Sequence, residues 1–183
     1  MGHFQIDDHI AIRNAEEGDV SLIREFIRGL AEYERLLDQV EASEADLRRY
    51  LFRDRVAEVV IAEYQEAPQG SQTPAGPPIP AGFALFFHNF STFLGRPGIY
   101  IEDLFVKPEF RGKGLGKALL SFVARIAAER NCGRLEWSCL DWNEPSIAFY
   151  QRQGARPLSE WTGFRVTGDA LRNLAGSSDK GVR

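Results

Sequence analysis

The sequence contains little cysteine and no long apolar run. Its 183 residues include only two cysteines, Cys132 and Cys139, which are too few for a disulfide scaffold and lack the spacing of a metal site. We therefore expect two buried or half-buried free thiols, no bound metal and a reducing compartment. Because there is neither a run of about 18 apolar residues nor an apolar N-terminal signal segment, we expect no membrane span, no secretion and a cytoplasmic location.

Positive charge is not in excess either. The chain carries 22 Lys and Arg residues against 26 Asp and Glu residues, which gives a formal net charge of −4. This balance disfavours nucleic acid as a partner and favours a small cationic molecule. With 44% hydrophobic and 26% charged residues, the composition is that of an ordinary globular protein that can bury a core without disulfides.

Apolar periodicity and turn residues predict strands and helices that alternate along the chain. Asp19 is placed to cap the first helix, and Ser43 with Asp46 forms a capping-box pattern before the second. Strands are expected at 9–13, 56–64, 82–90, 98–106 and 135–140, with weaker ones near 155–158 and 163–167. Helices are expected from 20 to at least 30 and at 43–52, 115–132 and 143–153, with a terminal helical turn at 169–174. This order predicts a mixed α/β fold.

Proline is concentrated in one segment. Residues 65–81 hold five of the nine prolines, together with glycine, serine and glutamine. We interpret this segment as a flexible loop between two strands rather than a domain boundary, because neither half of the chain could close a core alone. The prediction is one domain at 9–175, preceded by an N-terminal segment at 1–8 and followed by a flexible tail at 176–183.

Three alternate glycines, at positions 112, 114 and 116, lie between a predicted strand and a predicted helix. The run RGKGLGK at 111–117 would leave backbone amides pointing outward at the helix N-terminus, where the helix dipole favours an anion such as phosphate. A nucleoside triphosphate site is disfavoured because the run lacks the Gly-Lys-Ser/Thr ending of a P-loop. Taken alone, the run is also compatible with a plain tight turn.

The element order and three motifs together resemble the GNAT superfamily of acetyl-CoA-dependent N-acetyltransferases. The motifs are YIEDLFV at 100–106, RGKGLGK at 111–117 and DWNEPSIAFY at 141–150. The first and third, with LAEYE at 30–34 and DQV at 38–40, are most similar to the diamine (spermidine/spermine) and thialysine acetyltransferases. The resemblance covers about 10–175 outside the Pro-rich loop. It implies an α/β (α+β) acyl-CoA N-acyltransferase fold, with a mixed, mostly antiparallel central sheet flanked by helices.

The resemblance implies acetyl-CoA as the co-substrate, without a metal. The glycine loop would hold the CoA diphosphate, and the strand before it would pair through its backbone with the pantetheine arm, one amide polarising the thioester carbonyl. The side chains of that strand segment are expected in the core, so only its backbone is assigned to the cofactor. The implied cofactor-binding residues are Leu104, Phe105, Val106, Arg111, Gly112, Lys113, Gly114, Leu115, Gly116, Lys117, Asn143, Glu144, Pro145 and Ser146.

Tyr150 and Glu102 are the predicted catalytic residues. Asn143 and Tyr150 are seven residues apart, so they share a helix face at a rise of about 10 Å. A phenol with a pKa of about 10 suits proton donation to the CoA thiolate. Glu102 would help to deprotonate the amine, while strand alternation turns Asp103 to the opposite face. From the residues alone, Tyr150 could instead pack beside Phe149, and either carboxylate could pair with an arginine.

The resemblance also implies a set of residues around the amine, namely Tyr33, Glu34, Glu102, Glu136, Trp137 and Ser138. From sequence, a solvated surface pair would look the same as Tyr33 and Glu34. The chain departs from the polyamine acetyltransferases at Thr162, where they carry an acidic residue before a Gly-Trp pair. Losing one anionic contact shifts the expected substrate from a long polyamine toward a shorter diamine, a thialysine-like compound or an amino acid.

The sequence therefore predicts an enzyme that transfers acetyl from acetyl-CoA to a primary amine of a small cationic molecule, by direct attack in a ternary complex. An acyl-enzyme is disfavoured because neither cysteine has a nucleophilic Cys-His setting. Two alternatives stay open: acetylation of a protein N-terminus or lysine, and a non-catalytic CoA-binding regulatory module. No nucleic-acid or membrane partner is expected, and the resemblance implies a homodimer.

Overall fold

A six-stranded sheet organises most of the chain. The computed structural model describes residues 3–66 and 76–176, which divide into two compact units, Met1–Ser138 and Cys139–Arg183. The strands lie in chain order across the sheet. They are β1 (His3–Gln5), β2 (Ile10–Asn14), β3 (Glu58–Tyr64), β4 (Ile79–Ser91), β5 (Arg96–Val106) and β6 (Leu135–Trp137). The first five pair antiparallel and β6 pairs parallel to β5, so the predicted mixed, mostly antiparallel sheet is confirmed.

Helices of the first unit cover both faces of this sheet. They are α1 (Val20–Glu34), α2 (Glu44–Leu47), which continues as a π-helical turn at Arg48–Arg53, and α3 (Leu115–Glu129). Phe26 of α1 stacks on Phe83 at 5.3 Å between ring centres, in a buried cluster that includes Phe105. Strand residues that alternate with this cluster, such as Val60 and Phe86, are buried as well, and α3 packs on β2 to β5. Full burial of each such side chain contributes about 1.5–3 kcal/mol.

The two predicted helix caps have different outcomes. Ser43 forms the predicted capping box, since its Oγ accepts a hydrogen bond from the Asp46 amide at 3.1 Å. Asp19 precedes α1 as predicted, but its carboxylate does not cap the helix. Instead it accepts two hydrogen bonds from Arg13, at 2.7 and 2.9 Å, which hold the pKa of Asp19 below its usual range. The carboxylate therefore joins the start of α1 to β2.

The second unit contains two helices, α4 (Glu144–Arg152) and α5 (Gly168–Gly176). The strands predicted at 155–158 and 163–167 are wrong, because the described backbone there forms no ladder and turns at Leu158, whose carbonyl accepts from Trp161. β6 ends at Trp137 rather than at 140, and the 1–8 segment contributes the unpredicted strand β1. Most of the Pro-rich loop (67–75) and most of the tail (177–183) lie outside the described residues.

Both cysteines are half-buried free thiols, as predicted. Among the described residues, no helix combines the length and the apolar character that crossing a bilayer requires.

Candidate active site

The glycine loop adopts the backbone that its sequence suggests. Gly112 has φ +77° and Gly114 has φ +94°, a left-handed conformation that side chains with a Cβ rarely adopt. Gly114 is the N-cap of α3, so the amides of Leu115, Gly116 and Lys117 have no acceptor within the helix. These amides and the dipole of a 15-residue helix make the loop a fit for a phosphate group.

The basic side chains of this loop are held by aromatic rings. The Arg111 guanidinium carbon lies 4.6 Å from the ring centre of Tyr33, and its Nε donates a hydrogen bond to the Val106 carbonyl at 3.0 Å. Lys113 Nζ lies 4.5 Å from the ring centre of Tyr64 and 3.9 Å from a carboxylate oxygen of Glu66. Lys117 is exposed in the first turn of α3. The run 111–117 thus carries three basic side chains along with the anion-binding amides.

The end of β5 offers one backbone edge for a ligand. On one side, Leu104, Phe105 and Val106 pair with Ala84, Phe83 and Gly82 of β4. On the other side, β6 reaches only residues 99–101 of β5, so no strand of the described residues covers 102–106. The Phe105 side chain is buried in the core, as predicted, which leaves its backbone for recognition. An extended ligand arm can therefore add to this edge as a strand would.

A β-bulge changes the expected positions of Glu102 and Asp103. Asp103 pairs with Leu85 and Ile101 pairs with Phe86, so Glu102 is an extra residue without a partner in β4. The strict alternation predicted for these two carboxylates is therefore interrupted. Glu102 is exposed and Asp103 is half-buried, which corrects the expectation that Glu102 is the carboxylate placed in apolar surroundings.

Three carboxyl groups act on one another at this bulge. Burial, together with the negative charges of Glu102 and Glu34, raises the pKa of Asp103 to about 7. Burial also raises the pKa of Glu34, in the last turn of α1. Within the described part of the chain, neither Glu102 nor Asp103 forms an ion pair, so the alternative of a salt bridge to an arginine is wrong there. The cluster favours a bound cation.

Asp103 was not among the predicted site residues. Its pairing places it on the same sheet face as Leu85 and Phe105, where α1 packs. A sequence pattern shows two adjacent acids in a strand but not the bulge between them, because the bulge depends on the register with β4. No local signal in the sequence marks the extra residue.

The β6 residues predicted to contact the amine do not share one surface. Glu136 pairs with Tyr100 and Trp137 with Ile101, so their side chains lie on opposite faces. The Glu136 carboxylate accepts a hydrogen bond from Asn89 at 2.8 Å and lies 2.8 Å from Arg134 Nε, so its charge is already compensated. Ser138 Oγ shares a 2.6 Å hydrogen bond with the Tyr100 hydroxyl. Glu136 and Ser138 are thus on the Asp103 face, and Trp137 is not.

In the second unit, α4 places the predicted residues as a helix start and a helix end. Asn143 is buried and caps α4, its Oδ1 accepting from the Ser146 amide at 3.3 Å. Glu144 and Pro145 are exposed in the first turn. Tyr150 lies near the end of the helix, half-buried, with its ring centre 5.2 Å from that of Phe149. The packing beside Phe149 that was the alternative for Tyr150 is therefore present. This contact involves the ring of Tyr150 and does not decide the role of its hydroxyl.

Within the described ranges, no group of three or more histidine, cysteine, aspartate or glutamate side chains is arranged to hold a metal ion. The site combines the glycine loop, the uncovered edge of β5 and a carboxyl cluster to which β5 contributes Glu102 and Asp103 and α1 contributes Glu34.

Known proteins are similar to this chain in sequence and in fold. The sequence model of the acetyltransferase (GNAT) family matches residues 25–155. A thialysine N-epsilon-acetyltransferase of Bos taurus is 42% identical over 171 residues, covering 91% of this chain and 98% of the relative. An L-ornithine N5-acetyltransferase of Arabidopsis thaliana is 34% identical, with 89% of this chain and 86% of the relative covered.

Among solved structures, an integron cassette protein from the mobile metagenome of V. cholerae superposes with a TM-score of 0.70. It is 28% identical, and the match covers 91% of this chain and 97% of that one. Members of the matching family are N-acetyltransferases that use acetyl-CoA as co-substrate, and the relatives align along nearly their whole length. Because the family model matches the strand, the loop and the helix that build the site, this chain belongs to the acetyltransferase (GNAT) family and is an acetyltransferase that acts on amines.

Proposed function

We propose that this protein transfers the acetyl group of acetyl-CoA to a primary amine of a small cationic substrate, a diamine, a polyamine or a thialysine-like amino acid. The observation that carries the proposal is the carboxyl cluster of Glu34, Glu102 and Asp103. Two of its members, Glu102 and Asp103, lie on the strand that offers a free backbone edge at 102–106 and leads into the glycine loop. β5 would therefore contribute to the binding of both the cationic substrate and the anionic cofactor.

The cofactor part rests on the loop and the strand edge. The amides of 112–117 would hold the CoA diphosphate, with charge added by Arg111, Lys113 and Lys117. The backbone of 104–106 would bind the pantetheine arm, and one amide there would stabilise negative charge on the carbonyl oxygen. Bound acetyl-CoA supplies an activated acetyl thioester. Asn143 and the first turn of α4 (Glu144, Pro145 and Ser146) complete the proposed cofactor-binding set.

The amine must lose a proton before it attacks. An alkylammonium group has a pKa of about 10.4, so a nearby base has to accept its proton. We assign this step to the bulge: Glu102 faces solvent and contacts the substrate, and Asp103, whose pKa is about 7, accepts the proton directly or through a water molecule. A base with a pKa close to the working pH transfers protons well in both directions. Glu34 adds negative charge that attracts the substrate.

Tyr150 is the proposed general acid. A phenol, whose usual pKa is about 10, is a suitable proton donor to a departing CoA thiolate. Direct attack within a ternary complex needs no protein nucleophile, which agrees with two cysteines that lie outside the proposed catalytic set. Tyr33, Glu34, Glu136, Trp137 and Ser138 remain proposed substrate contacts. The support is strongest for Glu34, whose charge acts on Asp103, and weakest for Trp137, which lies on the sheet face opposite Asp103.

The relatives narrow the substrate class. Those aligned over most of their length are named for thialysine and L-ornithine, both amino acids with a side-chain amine. Thr162, which stands where the polyamine acetyltransferases carry an acidic residue, also favours an amino acid over a long polyamine. A protein lysine or N-terminus is the alternative acceptor. The test is a thiol-release assay with putrescine, spermidine, spermine, thialysine, ornithine, lysine and a histone-tail peptide. We expect turnover highest with the amino acids, whereas CoA binding without turnover would indicate a regulatory module.

We also propose that two copies form a homodimer in the cytoplasm. Among the described residues of the second unit, seven large apolar side chains are exposed, namely Trp142, Leu158, Trp161, Phe164, Val166, Leu171 and Leu174, with Phe164 93% exposed. Soluble monomers rarely leave so many apolar groups uncovered, and a second copy would cover them. Half-buried free thiols suit a reducing compartment. Sedimentation equilibrium is expected to give twice the chain mass, and a monomer at micromolar concentration would contradict the proposal.

A further inference from the structure

Arg111 joins the glycine loop to the end of α1. Its guanidinium stacks on Tyr33 at 4.6 Å and lies 5.9 Å from the ring centre of Phe105. Its Nε donates to the carbonyl of Val106, the last residue of β5. One side chain therefore contacts the helix that carries Glu34, the strand that carries Asp103 and the loop that it begins.

We propose that Arg111 is a positioning residue that couples acetyl-CoA binding to amine binding, by holding Tyr33 and with it Glu34 in place. This inference rests on the proposed function, because it assigns the loop to CoA and the carboxyl cluster to the amine. It adds a link between the two ligands that neither assignment contains.

The end of α1 is the element that Arg111 contacts. The helix ends at Glu34, Arg35 takes a left-handed conformation with φ +61°, and the amides of Arg35 and Leu36 donate back to the carbonyls of Glu32 and Ala31. Tyr33 and Glu34 are both half-buried. A planar cation stacked on the Tyr33 ring restrains this turn through a contact that a flexible ammonium group reproduces poorly.

The coupling follows from the place of Arg111 in the loop. A diphosphate bound at 112–117 restrains the segment that Arg111 begins, and it favours a positive charge nearby. A restrained Arg111 limits the motion of Tyr33 and of the adjacent Glu34. Less ordering of Glu34 is then needed when the amine binds. By linkage, a bound amine then tightens acetyl-CoA binding by the same factor.

A second arginine provides a matched control. Arg125, on α3, stacks on Phe122 at 4.6 Å and on Phe4 at 4.8 Å, and it is exposed like Arg111. It lies outside the loop and outside the carboxyl cluster. Replacing it removes an arginine–aromatic stack of the same kind without touching the proposed link.

The test is a double-mutant cycle with Arg111→Gln and Tyr33→Leu, together with the conservative variants Arg111→Lys and Tyr33→Phe and the control Arg125→Gln. For each, the KM of the best amine is measured at saturating acetyl-CoA, the Kd of CoA is measured by calorimetry with and without that amine, and Tm is recorded. Tyr33→Leu is expected to raise the amine KM about two- to fivefold, with kcat changed less. Arg111→Gln is expected to add nothing to that KM once Tyr33 is leucine.

Tyr33→Phe keeps the ring and is expected to keep the coupling, which separates positioning from folding. If Arg111→Gln weakens only CoA binding, or if the two KM effects multiply independently, the inference is wrong while the proposed function stands. If Arg125→Gln changes the amine KM as much as Arg111→Gln does, the effect is general and the link is again refuted. A wild-type protein that binds CoA but turns over no amine would refute both.

Discussion

Glu102 is the extra residue of a β-bulge, and its exposed carboxylate lies close enough to the half-buried carboxyl of Asp103 to raise the pKa of Asp103. This relationship gives two adjacent residues different properties. Glu102 is exposed to water, and the pKa of Asp103 is raised to about 7. A strand with regular alternation would have separated the two carboxyl groups across the sheet.

The first prediction concerns the pH dependence of activity. If Asp103 accepts the proton of the amine, kcat/KM rises with pH until Asp103 is ionised, with a midpoint near its pKa of about 7. Asp103→Asn is expected to lower kcat/KM about 100-fold and to remove this limb of the profile. The measurement is CoA release against pH for wild type and variant.

Glu102→Gln is the comparison variant for this profile. Since Glu102 is exposed, we expect Glu102→Gln to raise the amine KM and to keep the rise of kcat/KM with pH. The midpoint of that rise should move to lower pH, because one negative charge near Asp103 is lost. The opposite result, in which Glu102→Gln removes the limb and Asp103→Asn keeps it, would return the base to Glu102.

The second prediction concerns stability. Burial raises the pKa of Asp103 from an ordinary value of 3.8 to about 7 in the folded protein, so the unfolded chain loses this proton first as pH rises. The protein therefore loses stability between about pH 4 and pH 7, and the loss persists above pH 7. Asp103→Asn, which cannot ionise, is expected to raise Tm at pH 8 and to leave it unchanged near pH 4. Thermal unfolding at the two pH values measures the difference, and a lower Tm of the variant at pH 8 would contradict the raised pKa.

The third prediction separates backbone conformation from chemistry in the glycine loop. Gly114 caps α3 at φ +94°, so Gly114→Ala is expected to cost about 1–2 kcal/mol of stability. It should also raise the Kd of CoA, because the amides of the first turn would be displaced. Gly18→Ala is the control, since Gly18 has ordinary φ and open space around its Cα. Equal CoA affinity in wild type and Gly114→Ala would count against a diphosphate site at this loop.

Much of the fold could be predicted from residues, because the relevant signals are local. The pattern of Ser43 with Asp46 indicates the start of α2. The glycines at 112 and 114 indicate the left-handed backbone that they adopt, because few other residues tolerate it. What could not be predicted depends on partners that lie on another strand. Asp19 binds Arg13 instead of its helix, and Glu136 is compensated by Asn89 on β4.

The same distinction explains the site. The acids at 102 and 103 are visible in the sequence, but their roles depend on a register shift against β4. The strand predicted at 163–167 had the β-prone residues Phe164, Val166 and Thr167, but neither it nor 155–158 joins a ladder, so residue type alone was misleading there.

The last prediction tests the general acid. Tyr150→Phe keeps the ring that packs on Phe149 at 5.2 Å, so this ring contact is expected to stay while the hydroxyl is lost. If Tyr150 protonates the departing thiolate, kcat should fall about 100-fold with little change in the amine KM. Tyr50→Phe, on the π-helical turn and 44% exposed, is the matched control and should behave as wild type. Turnover of the best amine that is equal in Tyr150→Phe and Tyr50→Phe would show that Tyr150 is a packing residue, and the thiolate would then have to leave unprotonated or take its proton from water.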